Sequence, residues 1–128
     1  MYIKKIDIPV RAYTTVATYY YSTHFTGQLI GIGYDPSSYT PLCDTTKGIF
    51  KVYRNSSKYA CDLIFKHALP STAGLYHPTH RVHDSTGAIS TSDAIRGYWD
   101  FADDRIRLLI PTSTDGSALR ATFNFYIA

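Results

Sequence analysis

Alternation of apolar and polar positions is the clearest pattern in this chain. Between Leu119 and Ile127 every second residue is apolar, and Arg, Thr, Asn and Tyr occupy the positions between them. Successive side chains of an extended chain point to opposite faces, so a period of two indicates a strand with one buried face. The pattern therefore predicts a strand over 119–127, with Phe123 and Phe125 facing the core.

Shorter runs of the same kind predict a series of strands separated by turn residues. These further strands are 3–10, 13–24, 28–34, 49–54, 60–67 and 105–110. Pro9 lacks an N–H group, which places the first strand at a sheet edge or a strand end. Gly31 and Gly33 share one face of a central strand and leave room for a close backbone or aromatic approach. The polar residues 55–58 predict a hairpin turn between two neighbouring strands.

Residues 68–101 lose this periodicity and are interrupted repeatedly by Pro and Gly. Connections of this length are uncommon inside a compact domain, and they are usually functional or contain short strands. We therefore predict one long loop region in this part of the chain.

Composition favours the same fold class. All ten acidic residues are Asp, whereas 26 residues are Ser or Thr and 12 are Tyr. Thr and Tyr suit strands, and Glu, a good helix former, does not occur. A chain of 128 residues is enough for one core. We predict a single all-β domain over 1–128, a β-sandwich or jelly roll of about seven to eight antiparallel strands.

Charge and cysteine content indicate which partners, which compartment and which thiol state to expect. The net charge of +3 is far below that of a nucleic-acid-packing protein, and no apolar run approaches the length of a membrane helix, about 20 residues. The chain opens directly on a strand pattern without an apolar signal region, so we expect synthesis in a cytosol. Cys43 and Cys61 lack metal-ligand spacing, and we predict two free, buried thiols.

Three closely spaced histidines are the strongest candidates for a metal site in the sequence. His77, His80 and His83 carry good zinc ligands, but residues three apart in an extended chain point to opposite faces. Pro78 prevents the helix that would bring them together. We therefore expect histidines that bond nearby backbone or lie at an interface, and we predict no metal site.

Catalytic motifs are also missing from the sequence. The chain contains no G-x-S-x-G motif, and Gly31-Ile32-Gly33 alone is not a nucleotide-binding loop. We predict no catalytic residue, no enzymatic activity and no cofactor.

The 12 tyrosines exceed what a core of this size absorbs. We expect about half of them to pack against aromatic neighbours across strands and the others to form a broad protein-binding surface. The run Tyr19-Tyr20-Tyr21 must point rings to both faces of a strand, so at least one ring should reach solvent or a partner. In the long loop region, the predicted partner-binding residues are Tyr76, Arg81, Tyr98 and Trp99. The arginines nearby, Arg81, Arg96, Arg105 and Arg107, either pair with acidic groups of a partner or form a solvated face.

Several segments together resemble a known group of proteins. They are Thr26-Gly27-Gln28-Leu29-Ile30 leading to Tyr34-Asp35, Tyr76-His77-Pro78 with Arg81, Val82-His83-Asp84-Ser85-Thr86-Gly87, Arg105-Ile106-Arg107-Leu108 and the alternating final strand. In this pattern the chain resembles small β-sandwich virion proteins of tailed bacteriophages, some of which are capsid cement or decoration proteins. The resemblance implies a structural role in the phage head after synthesis in the host cytoplasm. It implies the major capsid protein and copies of the chain itself as partners, with no nucleic acid and no membrane.

Two other classes of function compete with this interpretation. A β-sandwich with exposed Tyr and Trp rings could stack on sugars, as a carbohydrate-binding module or a tail or head-fibre component does. An OB-like module would stack the bases of single-stranded nucleic acid on Tyr and Phe beside Lys and Arg. The scattered distribution of basic residues along the sequence argues against the second of these.

Overall fold

Every regular element of the described structure is a β-strand. The computed structural model describes residues 2–12, 17–36, 49–56, 61–68, 73–81, 96–111 and 119–128. The strands are β1 (Lys4–Ala12), β2 (Thr18–Tyr21), β3 (Phe25–Pro36), β4 (Ile49–Asn55), β5 (Asp62–Ala68), β6 (Gly74–Tyr76), β7 (Thr79–Arg81), β8 (Arg96–Ile110) and β9 (Leu119–Ile127). The predicted all-β class is confirmed.

All strand pairs are antiparallel, and the main order is β1-β9-β3-β8-β4-β5. We call β1, β9, β3 and β6 the β9 layer, and we call β2, the second half of β8, β4 and β5 the β4 layer. The rings of Phe50 in β4 and Phe123 in β9 lie 5.0 Å apart, so the two layers pack against each other. This arrangement agrees with the predicted β-sandwich.

Strand β8 joins the two layers, because its first half pairs with β3 and its second half pairs with β4. Between these halves Asp103 has a φ of 55°, a left-handed conformation that Asp adopts more readily than most residues. The Asp103 N–H donates to Thr26 Oγ1 at 3.0 Å, and the Ala102 N–H donates to the buried Asp104 carboxylate at 3.1 Å. These bonds satisfy the backbone at the irregularity in the ladder between β3 and β8.

The core lies between the layers and follows the predicted strand phase. Phe123 and Phe125 are fully buried, which confirms the orientation predicted for the last strand. The buried apolar side chains are Ile8, Val10, Phe25, Leu29, Ile32, Tyr34, Phe50, Val52, Ile64, Phe101, Ile106, Leu108, Ile110, Ala121, Phe123, Phe125 and Ile127. Two further predictions also hold. The strands on either side of 55–58 pair with each other as β4 and β5, and β1, which contains Pro9, lies at the edge of the main sheet.

Gly31 and Gly33 make room for an aromatic ring on the outer face of the β9 layer. A Cβ atom at Gly31 would lie 3.5 Å from the Tyr126 ring, and one at Gly33 would lie 3.4 Å from the same ring. Strand β3 is central, because Ile32 pairs with β9 on one edge and with β6 on the other. The predicted close aromatic approach to a central strand is therefore confirmed.

The described part of the predicted long loop region contains short strands, one of the two alternatives that the sequence left open, and β8 extends further into it than predicted. Residues 74–76 form β6, residues 79–81 form β7, and β8 begins at Arg96 rather than near residue 105. β6 pairs with β3, and β7 pairs with the start of β8. Strands of three residues are too short to show a period of two. The predicted strand 13–24 is also shortened, since within 17–24 only Thr18–Tyr21 is extended and paired.

Cys61 carries a free thiol, as predicted, but it is half-buried rather than part of the core. Cys43 lies outside the described residues.

Candidate functional site

Tyrosine and arginine side chains gather on the outer face of the β4 layer. Strand β8 lies between β2 and β4 here, because Leu109 pairs with Tyr19 on one edge and with Lys51 on the other. Alternation along β8 buries Ile106 and Leu108 and turns Arg105 and Arg107 outward. We call the outward side chains Tyr19, Tyr21, Tyr53, Arg105 and Arg107 the Tyr-Arg face.

Arg107 lies between two tyrosine rings of this face. Its guanidinium carbon is 4.6 Å from the ring centroid of Tyr19 and 4.5 Å from that of Tyr53. Because these rings come from strands on opposite edges of β8, they hold the guanidinium group from both sides. Each cation–π contact at a partly exposed position contributes about 0.5–1 kcal/mol.

Arg105 is held by one ring and one hydrogen bond. Its guanidinium carbon is 4.1 Å from the ring centroid of Tyr21, and its Nε donates to Asn55 Oδ1 at 2.9 Å. Tyr19 and Tyr21 remain 46% and 47% exposed. Both arginines are therefore held in place beside solvent-exposed tyrosine rings. The sequence predicted that at least one ring of the Tyr19–Tyr21 run reaches solvent or a partner, and this is confirmed.

The charge of this face is not neutralised within the described part of the chain. No carboxylate described there lies within ion-pair distance of Arg105 or Arg107, and the Nε atom of Arg107 is buried without a hydrogen-bond partner. Arg54 differs, since its guanidinium nitrogen lies 2.6 Å from the carboxylate of Asp62. Arg54 is thus a paired arginine, whereas the two arginines of β8 have no carboxylate partner among the described residues.

Hydrogen bonds of Ser22 hold the end of β2 against β8 and so position the tyrosines of β2. The Ser22 N–H donates to the Ile106 carbonyl at 3.0 Å, and the Ile106 N–H donates to Ser22 Oγ at 2.8 Å. Ser22 Oγ donates in turn to the Thr23 carbonyl at 2.8 Å. Ser22 is buried, so these bonds fix the register that brings Tyr21 opposite Arg107.

Among the predicted partner-binding residues, Tyr76 lies between the layers. Its ring centroid is 4.7 Å from that of His67 and 5.3 Å from that of Phe65. Burial raises the pKa of the Tyr76 hydroxyl above its ordinary value. Tyr76 therefore contributes mainly to packing between β6 and β5.

Tyr98 and Trp99 are adjacent in β8 and point to opposite faces. Tyr98 is 40% exposed. Trp99 is half-buried, with the His80 ring centroid 4.7 Å away and the Arg54 guanidinium carbon 5.4 Å away. Arg81 ends β7, where its backbone lies opposite Arg96. The structure thus does not bring Tyr76, Tyr98 and Trp99 to one surface.

The histidines of the 77–83 segment that the structure describes bond backbone carbonyl oxygens, as the sequence predicted. His77 Nδ1 lies 3.0 Å from the Ile30 oxygen, and His80 Nε2 lies 3.2 Å from the Tyr98 oxygen. Because a carbonyl only accepts, each of these ring nitrogens carries the hydrogen. Within the described ranges no group of three His, Cys or Asp residues is placed to hold a metal ion. His83 lies outside those ranges.

A second surface feature is an apolar hollow over Gly31, on the outer face of the β9 layer. Its volume is about 180 Å³, and its lining residues are Ile3, Ile30, Gly31, Leu75, His77 and Tyr126. A Cβ atom at Gly31 would lie 3.4 Å from Leu75 Cδ1 and 3.5 Å from the Tyr126 ring, and both of these residues line the hollow. It is large enough for one apolar side chain.

Comparison with known proteins gives no relative: no family model, no curated protein and no solved structure matches this chain. In the ranges that the structure describes, no helix is long and apolar enough to cross a membrane.

Proposed function

We propose that this protein is a structural, non-catalytic component of a tailed-bacteriophage particle, a capsid cement or decoration protein that binds the assembled head. The Tyr-Arg face carries this proposal. Tyr and Arg are enriched among the residues that supply most of the energy of protein interfaces. Here Tyr19 and Tyr21 are exposed, and the half-buried Arg105 and Arg107 are held in place without a described acidic partner. The sequence resemblance to virion proteins supports the phage head as the site of binding.

The proposed partners are the major capsid protein and neighbouring copies of the chain, and no nucleic acid or membrane is required. A cement protein binds the assembled lattice more strongly than the free subunits, so it stabilises the lattice by mass action. Exposed rings of Tyr19 and Tyr21 on the outer face of a sheet suit a broad protein surface. The hollow over Gly31 offers a second contact point on the opposite side of the sandwich.

The alternative is a tail or head-fibre component or a carbohydrate-binding module. Exposed rings on the Tyr-Arg face favour it, because sugars stack on aromatic side chains. Trp99 argues against a sugar platform in β8, since its ring is covered by His80 and Arg54.

Reconstitution on purified particles tests the proposal. Particles that lack the protein are mixed with the purified chain, bound copies are counted by quantitative mass spectrometry, and resistance to heat is measured. We expect saturable binding of many copies and a higher temperature of particle disruption. Failure to bind together with unchanged particle stability contradicts the proposal, and a few copies per native particle indicate the tail or fibre role.

A further inference from the structure

We propose that the Tyr-Arg face is a binding site for an extended acidic segment of a partner protein, whose carboxylates at alternate positions meet Arg105 and Arg107. This inference deepens the proposed function, on which it rests for the choice of partner, by naming the chemistry that the face recognises.

Charge complementarity is the first reason. The outer face of the β4 layer also carries Lys51, which pairs with Leu109 and lies on the same side of β4 as Tyr53. The three cations Lys51, Arg105 and Arg107 have no carboxylate within ion-pair distance among the described residues. The only acidic side chain described in β4 or β5, that of Asp62, is bound to Arg54. A partner segment with carboxylates therefore complements the charge that the described residues give this face.

Preorganisation is the second reason. Two rings hold the Arg107 guanidinium group, and the Tyr21 ring with Asn55 holds that of Arg105. An arginine that is already ordered loses less conformational entropy when it binds, and its planar group can donate two parallel hydrogen bonds to one carboxylate. The tyrosine hydroxyl groups beside it add further donors.

Spacing is the third reason. Residues two apart on one face of a strand are separated by about 7 Å, so Arg105 and Arg107 repeat at the same interval as alternate side chains of an extended peptide. An extended partner segment with Asp or Glu at every second position therefore matches both arginines at once.

The ring contacts favour an acidic polypeptide over single-stranded nucleic acid. Nucleic acid binding of this kind requires open ring faces on which bases stack. On the Tyr-Arg face, guanidinium groups cover one face of each of the rings of Tyr19, Tyr21 and Tyr53. The hydrogen-bonding groups, rather than stacking platforms, are thus what the site offers to a partner.

Binding of a short peptide in which Asp alternates with Thr tests the inference on the purified chain. We expect saturable binding that weakens as salt is raised, with no binding of the matched peptide in which Asn replaces Asp. Arg105→Gln and Arg107→Gln should each weaken binding about tenfold, because each removes one charge-assisted contact. Lys4→Gln, which removes one exposed charge from β1, should leave the affinity unchanged.

The outcomes separate this inference from the proposed function. Equal binding of the Asp and Asn peptides, or equal losses for Lys4→Gln and Arg107→Gln, overturns the inference. Tighter binding of an oligothymidine than of the Asp peptide also overturns it, in favour of nucleic acid. If the Asp peptide binds but particles do not, the inference stands and the cement function fails. If particles bind the Arg105→Gln/Arg107→Gln variant normally, the cement function stands and the inference fails.

Discussion

The inner and outer faces of β8 differ in what they do for the molecule, although their residues alternate along one strand. Ile106 and Leu108 point inward and are fully buried, whereas Arg105 and Arg107 point outward among tyrosine rings. Burial of apolar surface is the main source of folding free energy, while partly exposed cation–π contacts contribute little. The side chains that stabilise the fold are therefore distinct from those of the proposed binding face, and single substitutions can distinguish the two sets.

The largest expected effect is on the inner face, at Phe123. Its ring contacts Tyr34 and Phe50 at centroid distances of 5.2 and 5.0 Å, and it is fully buried. Phe123→Ala should lower the free energy of unfolding by about 3–5 kcal/mol, because it removes apolar contacts and leaves a cavity. Asn124→Ala, on the outer face of the same strand, should cost less than about 1 kcal/mol. Denaturant unfolding of the two variants checks this, and equal small losses would mean that the strand phase is wrong.

Gly27 lies at a position where backbone conformation, rather than burial of a side chain, determines the effect of a substitution on stability. Its φ is +149°, and an added Cβ would lie 2.7 Å from the Ala128 oxygen. Gly27→Ala should destabilise the fold by about 1–3 kcal/mol through backbone strain and this close contact. Gly31→Ala is the matched control, since its new Cβ would meet ordinary contacts of 3.4 Å or longer. Thermal unfolding that ranks Gly31→Ala as the more damaging change would contradict the described path of β3.

Ser22 connects the two faces, because its buried hydroxyl fixes β2 on β8. Ser22→Ala leaves the Ile106 N–H without its hydroxyl acceptor and should cost about 1–3 kcal/mol. Because this bond also sets the position of Tyr19 and Tyr21, the variant should lose affinity for the acidic peptide as well. Thr23→Ala, at an exposed neighbour, is the control for both measurements. Stability and peptide affinity equal to those of the unmodified chain would show that Ser22 does not hold β2 in place.

Tyr76, whose ring packs between the layers, makes stability depend on pH. Burial raises the pKa of Tyr76 in the folded state, so folding resists loss of its proton. Its contribution is fully present below the unfolded pKa of about 10 and is lost as pH rises through the folded pKa. Tyr76→Phe should therefore reduce the fall in stability above about pH 10. An alkaline profile equal to that of the unmodified chain, measured by denaturant unfolding, would argue against a buried hydroxyl at Tyr76.

The sequence predicted those strands in which one face is buried, and it missed those too short to show a period. The last strand and 105–110 were readable because apolar and polar residues alternate over their whole length. The strands β6 and β7 have three residues each, and the start of β8 places the aromatic residues Tyr98 and Trp99 on both of its faces. Local periodicity therefore predicted the second half of β8, residues 105–110, but not its first half.

The candidate site was only partly predictable, for a different reason. The exposed rings of the Tyr19–Tyr21 run and the role of Arg105 and Arg107 as possible partners of acidic groups follow from the residues alone. Their assembly on one face requires the pairing of β2 with β8, in which Ser22 and Ile106 are 84 residues apart. No local pattern encodes such a pairing. The partner-binding residues predicted from the sequence therefore lay in the long loop region and not on the Tyr-Arg face.

A small stability effect is expected on the outer face of β8, where the largest effect on binding is also expected. Arg107→Gln removes two ring contacts of a partly exposed side chain and should cost less than about 2 kcal/mol of unfolding free energy. Unfolding by heat, with Leu108→Ala as the inner-face counterpart at about 2–5 kcal/mol, measures the difference. A loss at Arg107 as large as that at Leu108 would show that the outer face holds the fold.

Binding of the Arg105→Gln/Arg107→Gln variant to particles that lack the protein tests the central claim most directly. The number of copies bound per particle is counted by mass spectrometry for this variant, for the unmodified chain and for a Lys4→Gln/Lys5→Gln control of equal charge. We predict that the arginine variant stays folded and binds few or no copies, whereas the lysine control binds as many as the unmodified chain. A folded arginine variant that occupies the particle fully would contradict the assignment of binding to the Tyr-Arg face.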